Sequence, residues 1–295
     1  MRKPEVCILP VAGLSTRNLP ATKALHKGFL TLHSLPIIQY AVNACAEIGI
    51  KEVVFIYSDQ SCKHLFESYF SPYPWLENHL REKNKLDLLK AVQEVIPAGM
   101  KFSFAEQAEP KGNGHAILMA KDIVGDRDFI VMWPDDVYIN LHGDGVLKQL
   151  LDVYEKEGGM VENIMEFPRK QMVRYGALVG AVRDGRVVRA KGLVEKPALE
   201  NVPSNYASMG PYILPNEIMQ ILPEVRKGTN GEINLTDAME LAAQRGMKLT
   251  GVLCDVLRFD CGTNKDLERS NIKLSLMEDA DLRAYTCELL KTMLV

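Results

Sequence analysis

An α/β fold, with a mostly parallel sheet covered by helices on both faces, is predicted by two features of the chain. Its strands read as continuous apolar runs, among them Val6-Cys-Ile-Leu9, Glu52-Val-Val-Phe-Ile-Tyr57 and Asp128-Phe-Ile-Val-Met-Trp133, and strands buried on both faces lack polar alternation. Between them lie segments with helical spacing, such as Ile37, Ile38, Ala41, Val42, Cys45 and Ile48, stopped by Gly49, as crossovers between parallel strands require. A chain of 295 residues, 47% hydrophobic and 25% charged, has enough material for a sizeable core.

Taken in order, the first strand ends at Pro10 and enters a turn of small residues, Ala12, Gly13 and Ser15, followed by Thr16, Arg17, Lys23 and Lys27. Small residues let backbone N–H groups approach an anion, and nearby cations neutralise it. The stretch reads either as a polyphosphate cradle or as a tight turn with solvated basic residues. Its spacing fits neither G-x-x-x-x-G-K-[ST] nor G-x-G-x-x-G. After the helix over 36–48 and the strand over 52–57, a short helix is expected over 63–69. Ser71-Pro-Tyr-Pro-Trp75 breaks it, and charged helices follow near 76–83 and 87–95. A third strand (101–105), a helix (114–120), the fourth strand ending in Pro134-Asp135-Asp136 and a helix (145–157) complete this half. Ligands bind beyond the carboxyl ends of parallel strands. The polar segments at those ends are Gly13 to Arg17, Gln107 to Gly114, and Asp135 with Asp136, so three strand ends converge on one rim.

The second half carries a hairpin turned at Arg183-Asp-Gly-Arg186 between strands over 177–182 and 187–191, then Gly192-Leu-Val-Glu-Lys-Pro197 and a strand over 206–214 interrupted by Gly210. A flexible loop is expected over 228–231, a helix over 235–245, a strand near 248–254 and two charged helices at about 264–277 and 279–294. No linker divides the chain.

The net charge of −3 gives no general attraction to nucleic acid or an anionic membrane, so neither is an expected partner. No apolar run approaches the length of a membrane span. Pro10, Gly13 and Arg17 interrupt the N-terminal apolar stretch too early for a signal peptide. The six cysteines form no C-x-x-C and no zinc-like grouping, which points to free thiols in a reducing cytoplasm.

A set of motifs then recurs in a recognisable order: Leu9-Pro-Val-Ala-Gly-Leu-Ser-Thr-Arg17, Leu19-Pro-Ala-Thr-Lys-Ala-Leu-His-Lys27, Pro36-Ile-Ile-Gln-Tyr40, Gln107 with Lys111-Gly-Asn-Gly-His-Ala116, Trp133-Pro-Asp-Asp-Val137, Tyr175-Gly176, Val194-Glu-Lys-Pro197, Gly231-Glu-Ile-Asn-Leu-Thr-Asp-Ala238 and Asp260-Cys-Gly262. From Cys7 to about Gly262 the chain resembles the bacterial UTP–glucose-1-phosphate uridylyltransferases (UDP-glucose pyrophosphorylases), within the sugar-phosphate nucleotidylyltransferase superfamily. The insert ending Lys83-Asn-Lys-Leu-Asp-Leu-Leu89 is more similar to this branch than to the shorter thymidylyl enzymes.

The resemblance implies a Rossmann-like sheet of the nucleotide-diphospho-sugar transferase type, with a small sugar-side β lobe and C-terminal helices. It divides the chain into a transferase domain, 1–262 (nucleotide part about 1–140, sugar-phosphate part about 141–262), and a helical tail, 263–295. The implied reaction is Mg²⁺-dependent in-line attack of glucose-1-phosphate on the α-phosphorus of UTP, giving UDP-glucose and pyrophosphate. Two polyanions must meet, so the work is positioning and cationic stabilisation.

By the same resemblance Arg17, Lys27 and Lys196 are catalytic. Ala12, Gly13, Gln107 and Gly112 bind the nucleotide, while Gly176, Glu195, Lys196 and Gly210 bind the sugar phosphate. Asp135 and Asp260 hold Mg²⁺, which favours one or two carboxylates plus substrate phosphates. The residues alone also allow Asp135 to cap a turn and Glu195 with Lys196 to be an exposed pair of little worth. Asp136 and Glu232 read as supports, and His115 as a satisfied polar group. Four departures from the family pattern bear on specificity: Ser15 for glycine, His26 and Gly28 for a proline and a glutamate beside Lys27, Asn113 for a leucine, and Ser34-Leu35 for Asp-Lys. They leave open another base (dTTP or CTP) or hexose-1-phosphate, or a weakly active paralogue that regulates a partner. The apolar positions of the tail, from Ile272 to Leu294, suggest a homodimer or homotetramer.

Overall fold

Val6–Pro10 is buried from Val6 to Leu9 and lies between Glu52–Tyr57 and Phe129–Val131, parallel to both. A computed structural model of the chain describes residues 3–140, 142–225 and 231–293. From edge to edge the main sheet runs Val182–Asp184, Val187–Ala190, Leu249–Val252, Met160–Glu166, Tyr206–Leu214, Phe129–Val131, Val6–Pro10, Glu52–Tyr57 and Lys101–Glu106. Gly192–Val194 pairs with Gly176–Val179, which joins the sheet beside Tyr206–Leu214. Along that path Tyr206–Leu214 and Val187–Ala190 run against the rest, so the sheet is mixed and mostly parallel.

Successive side chains of a strand point to opposite faces. Val6, Ile8, Val54 and Val131 therefore pack with Ile117, Leu235, Ala238 and Met239 on one side. Cys7, Leu9, Val53 and Phe55 pack with Ile38, Val42, Phe66 and Leu150 on the other. Helices cover both faces, which is why these strands carry no polar alternation. At the opposite end of the sheet from the rim, Glu52 is buried but receives Lys101 at 2.7 Å, Ser103 at 2.6 Å and Arg127 at 3.0 Å. Burial pushes its carboxyl up, and these three partners outweigh that and hold it below the ordinary value.

Several elements differ from the expectations. Met160–Glu166 is a central strand that the apolar pattern does not reveal, because Glu162 and Asn163 interrupt it; both are buried. The strand expected over 177–182 is split by Gly180, whose φ of 60° lies in the left-handed region. The hairpin is accordingly Val182–Asp184 with Val187–Ala190. The helix expected over 114–120 is Asn113–Leu118 followed by Lys121–Val124. The helix before the insert begins earlier, at Gln60, because Asp59 accepts hydrogen bonds from Ser61 N and Cys62 N. Of the loop expected over 228–231, only Gly231 lies among the described residues.

Two further features place the site. Asp136–Ile139 pairs antiparallel with Leu257–Asp260 in a separate small sheet, whose register sets Asp136 opposite Asp260. Behind it the helix Asn264–Glu278 folds onto the body. Leu274 packs with Leu32, Ile37, Val137, Phe259 and Cys261, and Ser270 Oγ donates to the Asp260 carbonyl at 2.8 Å. The last helix, Ala280–Met293, has no buried residue among those described.

Candidate active site

The turn after Val6–Pro10 is open where a ligand would need it. Gly13 lies outside the left-handed region, and nothing falls within 4 Å of where a Cβ would stand. The fold therefore does not require glycine there; the missing side chain leaves bare backbone facing space. Ser15 does occupy the left-handed region, at φ 53°, a strain of about 1 kcal/mol. Thr22 Oγ1 holds its carbonyl at 2.9 Å. His26 is buried, accepts from Gly28 N at 3.0 Å and packs edge-on against Phe66. Burial, and then the charge of Lys27, lower its pKa to about 4, so the ring is neutral. The residue that departs from the family pattern beside Lys27 is thus a neutral strut beneath it.

Three carboxylates and three cations meet at the rim. Lys27 Nζ lies 2.6 Å from Asp135 Oδ2. Arg258 donates from Nε to Asp136 Oδ1 at 2.7 Å and from Nη2 to Asp260 Oδ2 at 3.0 Å. A Cβ on Gly262 would stand 3.1 Å from Asp260 Oδ1, 3.5 Å from Arg17 Nη2 and 3.6 Å from Asp135 Oδ2. Arg17, Asp135 and Asp260 therefore surround one small volume, kept clear because residue 262 has no side chain. The ladder of the small sheet creates this convergence and continues one step further, with Cys261 N donating to the Asp135 carbonyl at 2.8 Å.

The two adjacent carboxyls behave oppositely. Burial pushes Asp135 up, but Lys27 and then Arg17 pull it down to a net position below the ordinary value. Burial pushes Asp136 up to about 7; Arg258 opposes this, and Asp135 and Asp260 add to it. Asp135 is the ionised member, paired with Lys27, and Asp136 is spent on orienting Arg258. Two carboxylates flanking one point, next to cations suited to phosphate, form an oxygen donor set of the kind Mg²⁺ takes from proteins.

At the next strand end Gln107 is buried and donates from Nε2 to the Gly112 carbonyl at 3.0 Å, with His115 Nδ1 also 3.0 Å away. Gly112 has φ 103°, and a Cβ there would meet Ile233 O at 2.4 Å. Asn113 Oδ1 accepts from Leu235 N at 2.8 Å, capping the helix Leu235–Gln244. That contact commits one lone pair of the amide oxygen to the fold.

A second hollow, of about 200 Å³, is lined by residues that include Trp133, Arg174, Gly176, Glu195, Ser208 and Thr236. A Cβ on Gly176 would stand 3.3 Å from Glu195 Oε2, 3.3 Å from Ser208 Cβ and 3.4 Å from Thr236 Cγ2, so the glycine opens the middle of the hollow. Lys196 Nζ is 3.3 Å from Glu195 Oε1, and its backbone is held at φ 43°, a conformation unusual for lysine.

The Nucleotidyl transferase family matches residues 7–275. The chain belongs to that family. It is 37% identical to the UTP–glucose-1-phosphate uridylyltransferase of Pseudomonas aeruginosa over 257 residues, 87% of this chain and 91% of that protein. It is 37% identical to the protein of the same name from Bacillus subtilis over 240 residues, 81% and 80% of the two chains. Its structure is similar to a UDP-glucose pyrophosphorylase complexed with UDP-glucose (TM-score 0.83, 32% identity, 93% and 100% coverage). It is also similar to a UTP-bound UGPase from Acinetobacter baumannii (TM-score 0.87, 30% identity, 97% and 99% coverage).

In this nucleotidyl transferase, then, the structure gathers Arg17, Lys27, Asp135 and Asp260 at one rim, Gln107 with Gly112 at a second strand end, and Gly176, Glu195 and Lys196 around the hollow. Gly210 is not among the residues lining the hollow. It sits at φ 69° in the irregularity between Ser208 and Tyr212, and its carbonyl accepts from Asn163 Nδ2 at 3.0 Å; its glycine serves the bulge. Sequence reasoning missed Arg258, although a residue two before Asp260 on a strand shares its face. It also missed Arg174, which directly precedes the Tyr175-Gly176 landmark, Thr236, which lies inside the Gly231–Ala238 landmark without a role assigned, and Ser208, for which no local signal exists.

Proposed function

We propose that this transferase makes UDP-glucose and pyrophosphate from UTP and glucose-1-phosphate by in-line attack on the α-phosphorus, with Mg²⁺ as its metal. The observation that carries this reading is the volume beside Gly262, bounded by Arg17, Asp135 and Asp260 and set near a bare-backbone turn at Gly13. Arg17 and Lys27 neutralise the triphosphate and the departing pyrophosphate. Lys27 is at present held by Asp135 and turns to phosphate oxygens when that carboxylate is engaged elsewhere. Ala12 and Gly13 present backbone to the nucleotide, and Gln107 with Gly112 faces the base. Gly176 and Glu195 receive the sugar, and Lys196 pairs with its phosphate and aligns the attacking oxygen. Asp135 and Asp260 would hold Mg²⁺, which when bound neutralises phosphate charge. Transferases of this family generally work with a divalent metal.

Given equal UTP, dTTP and CTP with glucose-1-phosphate and Mg²⁺, the protein is expected to form UDP-glucose in large excess and to release pyrophosphate in step. Predominant CDP- or dTDP-glucose overturns the base assignment, and no pyrophosphate with any of the three overturns the reaction.

The assembly is read as a homodimer or a dimer of dimers formed through the tail. Leu282, Tyr285, Leu289, Leu290 and Met293 are all exposed on Ala280–Met293, and an apolar stripe of this kind is stable when covered. Light scattering at micromolar concentration is expected to give at least twice the chain mass of 33.0 kDa, falling when residues 279–295 are deleted. A monomeric mass for the full chain ends this reading. Among the described residues no helix is long and apolar enough to cross a membrane, and the thiols are free and mostly buried, which suits the cytoplasm.

A further inference from the structure

Glu162 has no part in the reaction described above, yet it is a fully buried carboxyl beside the sugar hollow. It lies on Met160–Glu166, in register with Tyr212 on one side and Gly251 on the other. Its strand neighbours on the same face, Met160 and Ile164, belong to an apolar cluster with Leu178, Leu193 and Leu235. Oε2 accepts a short hydrogen bond from Ser208 Oγ, and Oε1 is buried without a partner among the described residues. Ser208 Oγ is in turn 3.3 Å from Tyr212 OH. Both Ser208 and Tyr212 line the hollow with Gly176, Glu195 and Thr236.

An ionised carboxylate sealed among aliphatic groups, with one hydroxyl partner and no cation among the described residues, costs several kcal/mol, which a neutral acid avoids. A purely structural role at this point is served better by leucine or methionine, like the residues around it. A carboxyl retained there does something those residues cannot: it accepts the one hydrogen bond that the Ser208 hydroxyl can donate. The Ser208 oxygen then faces the hollow as an acceptor, alongside the Glu195 carboxylate.

We propose that Glu162 is a positioning residue for the hexose, fixing the Ser208 hydroxyl so that this wall of the hollow accepts hydrogen bonds from sugar hydroxyls. The proposal rests on the reading of the hollow as the hexose-phosphate site. Burial pushes the Glu162 carboxyl up to about 8, so it is mainly uncharged at neutral pH and ionises in mild alkali. Of the titratable groups facing it, Tyr212 is pushed above its ordinary value, by burial first and then by Glu162 itself, with Glu195 beyond it. Leu249–Val252, on its other side, carries no titratable group. The helix Leu235–Gln244 brings Asp237, bonded to Asn234, and Glu240, bonded to Leu193 N and Gln244. The cations of the hollow are Lys196, paired with Glu195, and Arg174, over the Tyr175 ring. Among the described residues none of them reaches Glu162, so an ionised Glu162 adds negative charge below a site for a sugar phosphate.

The test is the KM for glucose-1-phosphate and for UTP, measured across pH in the wild type, Glu162→Gln and Glu162→Leu. The wild type is expected to show a KM for glucose-1-phosphate that rises as pH passes through about 8, with a flat KM for UTP. Glu162→Gln, which cannot ionise, should raise the sugar-phosphate KM a few-fold at neutral pH and lose the alkaline rise. Glu162→Leu should raise it about tenfold, the loss of one hydrogen bond. An alkaline rise that survives in Glu162→Gln, or equal changes in both KM values, overturns the proposal. If Glu162→Leu fails to fold, the pH profile of the isosteric Gln variant still decides. A wild type without turnover on glucose-1-phosphate overturns the reading of the hollow instead, so the two failures are distinct.

Discussion

Asp135→Ala is expected to slow pyrophosphate release by on the order of a hundredfold or more, about 3 kcal/mol of transition-state stabilisation. The carboxylate flanks the volume at Gly262 together with Asp260 and Arg17, and it holds Lys27 at 2.6 Å. Its removal takes away one of the two carboxylates proposed for a divalent cation and leaves Lys27 without its counter-charge. The fold should survive. The Lys27 and Asp135 side chains are 19% and 23% exposed, so breaking the pair costs about 1–2 kcal/mol, less than for a dry interior pair.

Asp135→Asn separates charge from shape. It retains an acceptor for Lys27, and is expected to recover stability but not rate, and to need more Mg²⁺ for half-maximal activity. The sign with pH follows from the lowered pKa of Asp135. Its charge, and the stability contributed by the pair with Lys27, are present at neutral pH and lost as pH falls through that lowered value. Steady-state assays with a Mg²⁺ titration check this, and near-normal turnover in the alanine variant would remove Asp135 from the site.

Gly112→Ala is expected to be the most destabilising single-methyl addition in the nucleotide half, by on the order of 3 kcal/mol or more. The position has φ 103°, and the new Cβ would meet Ile233 O at 2.4 Å and Ile233 N at 2.8 Å. Those are backbone atoms, already fixed by Gly114 N donating to Ile233 O at 2.8 Å and Ile233 N donating to Lys111 O at 2.9 Å. They cannot move aside without breaking that ladder. The shift would also displace the carbonyl that receives Gln107 Nε2, so the KM for UTP should rise in any folded fraction.

Gly13→Ala is the informative contrast. Its backbone is unstrained and its surroundings are empty, so denaturant melting should be unchanged while the KM for UTP rises. One glycine is demanded by the chain and the other by the ligand. Equal stability losses in the two variants would contradict this division.

Much of the architecture was legible because it is written in local patterns. The run Val6 to Leu9 declares a strand buried on both faces, and the spacing from Ile37 to Ile48 declares a helix against it. Met160–Glu166 was not legible because Glu162 and Asn163 replace apolar residues in its middle; their burial is decided by neighbours distant in sequence. The break at Gly180 was hidden because a glycine in an apolar run does not announce a left-handed turn. Of the candidate site, the glycine turn, Arg17, Lys27 and Asp135 could be singled out by type and by the order of the motifs, and the resemblance supplied their expected roles. Arg258 and Ser208 could not, since each matters only through a partner far away in the chain.

By itself, the sequence determined most of the succession of strands and helices, the strand ends that carry polar residues and the membership of the family. These follow from periodicity and from short motifs, which a chain carries before it folds. Only the tertiary structure decided how the charged and buried polar groups are paired: Lys27 with Asp135, Arg258 with Asp136 and Asp260, and Glu162 with a serine hydroxyl. It also decided that the first tail helix is packed and the last is bare. The reason in both cases is the same. A carboxylate takes its charge state from burial and from whichever cation the fold brings within a few ångströms, and an apolar face is buried only if a surface meets it.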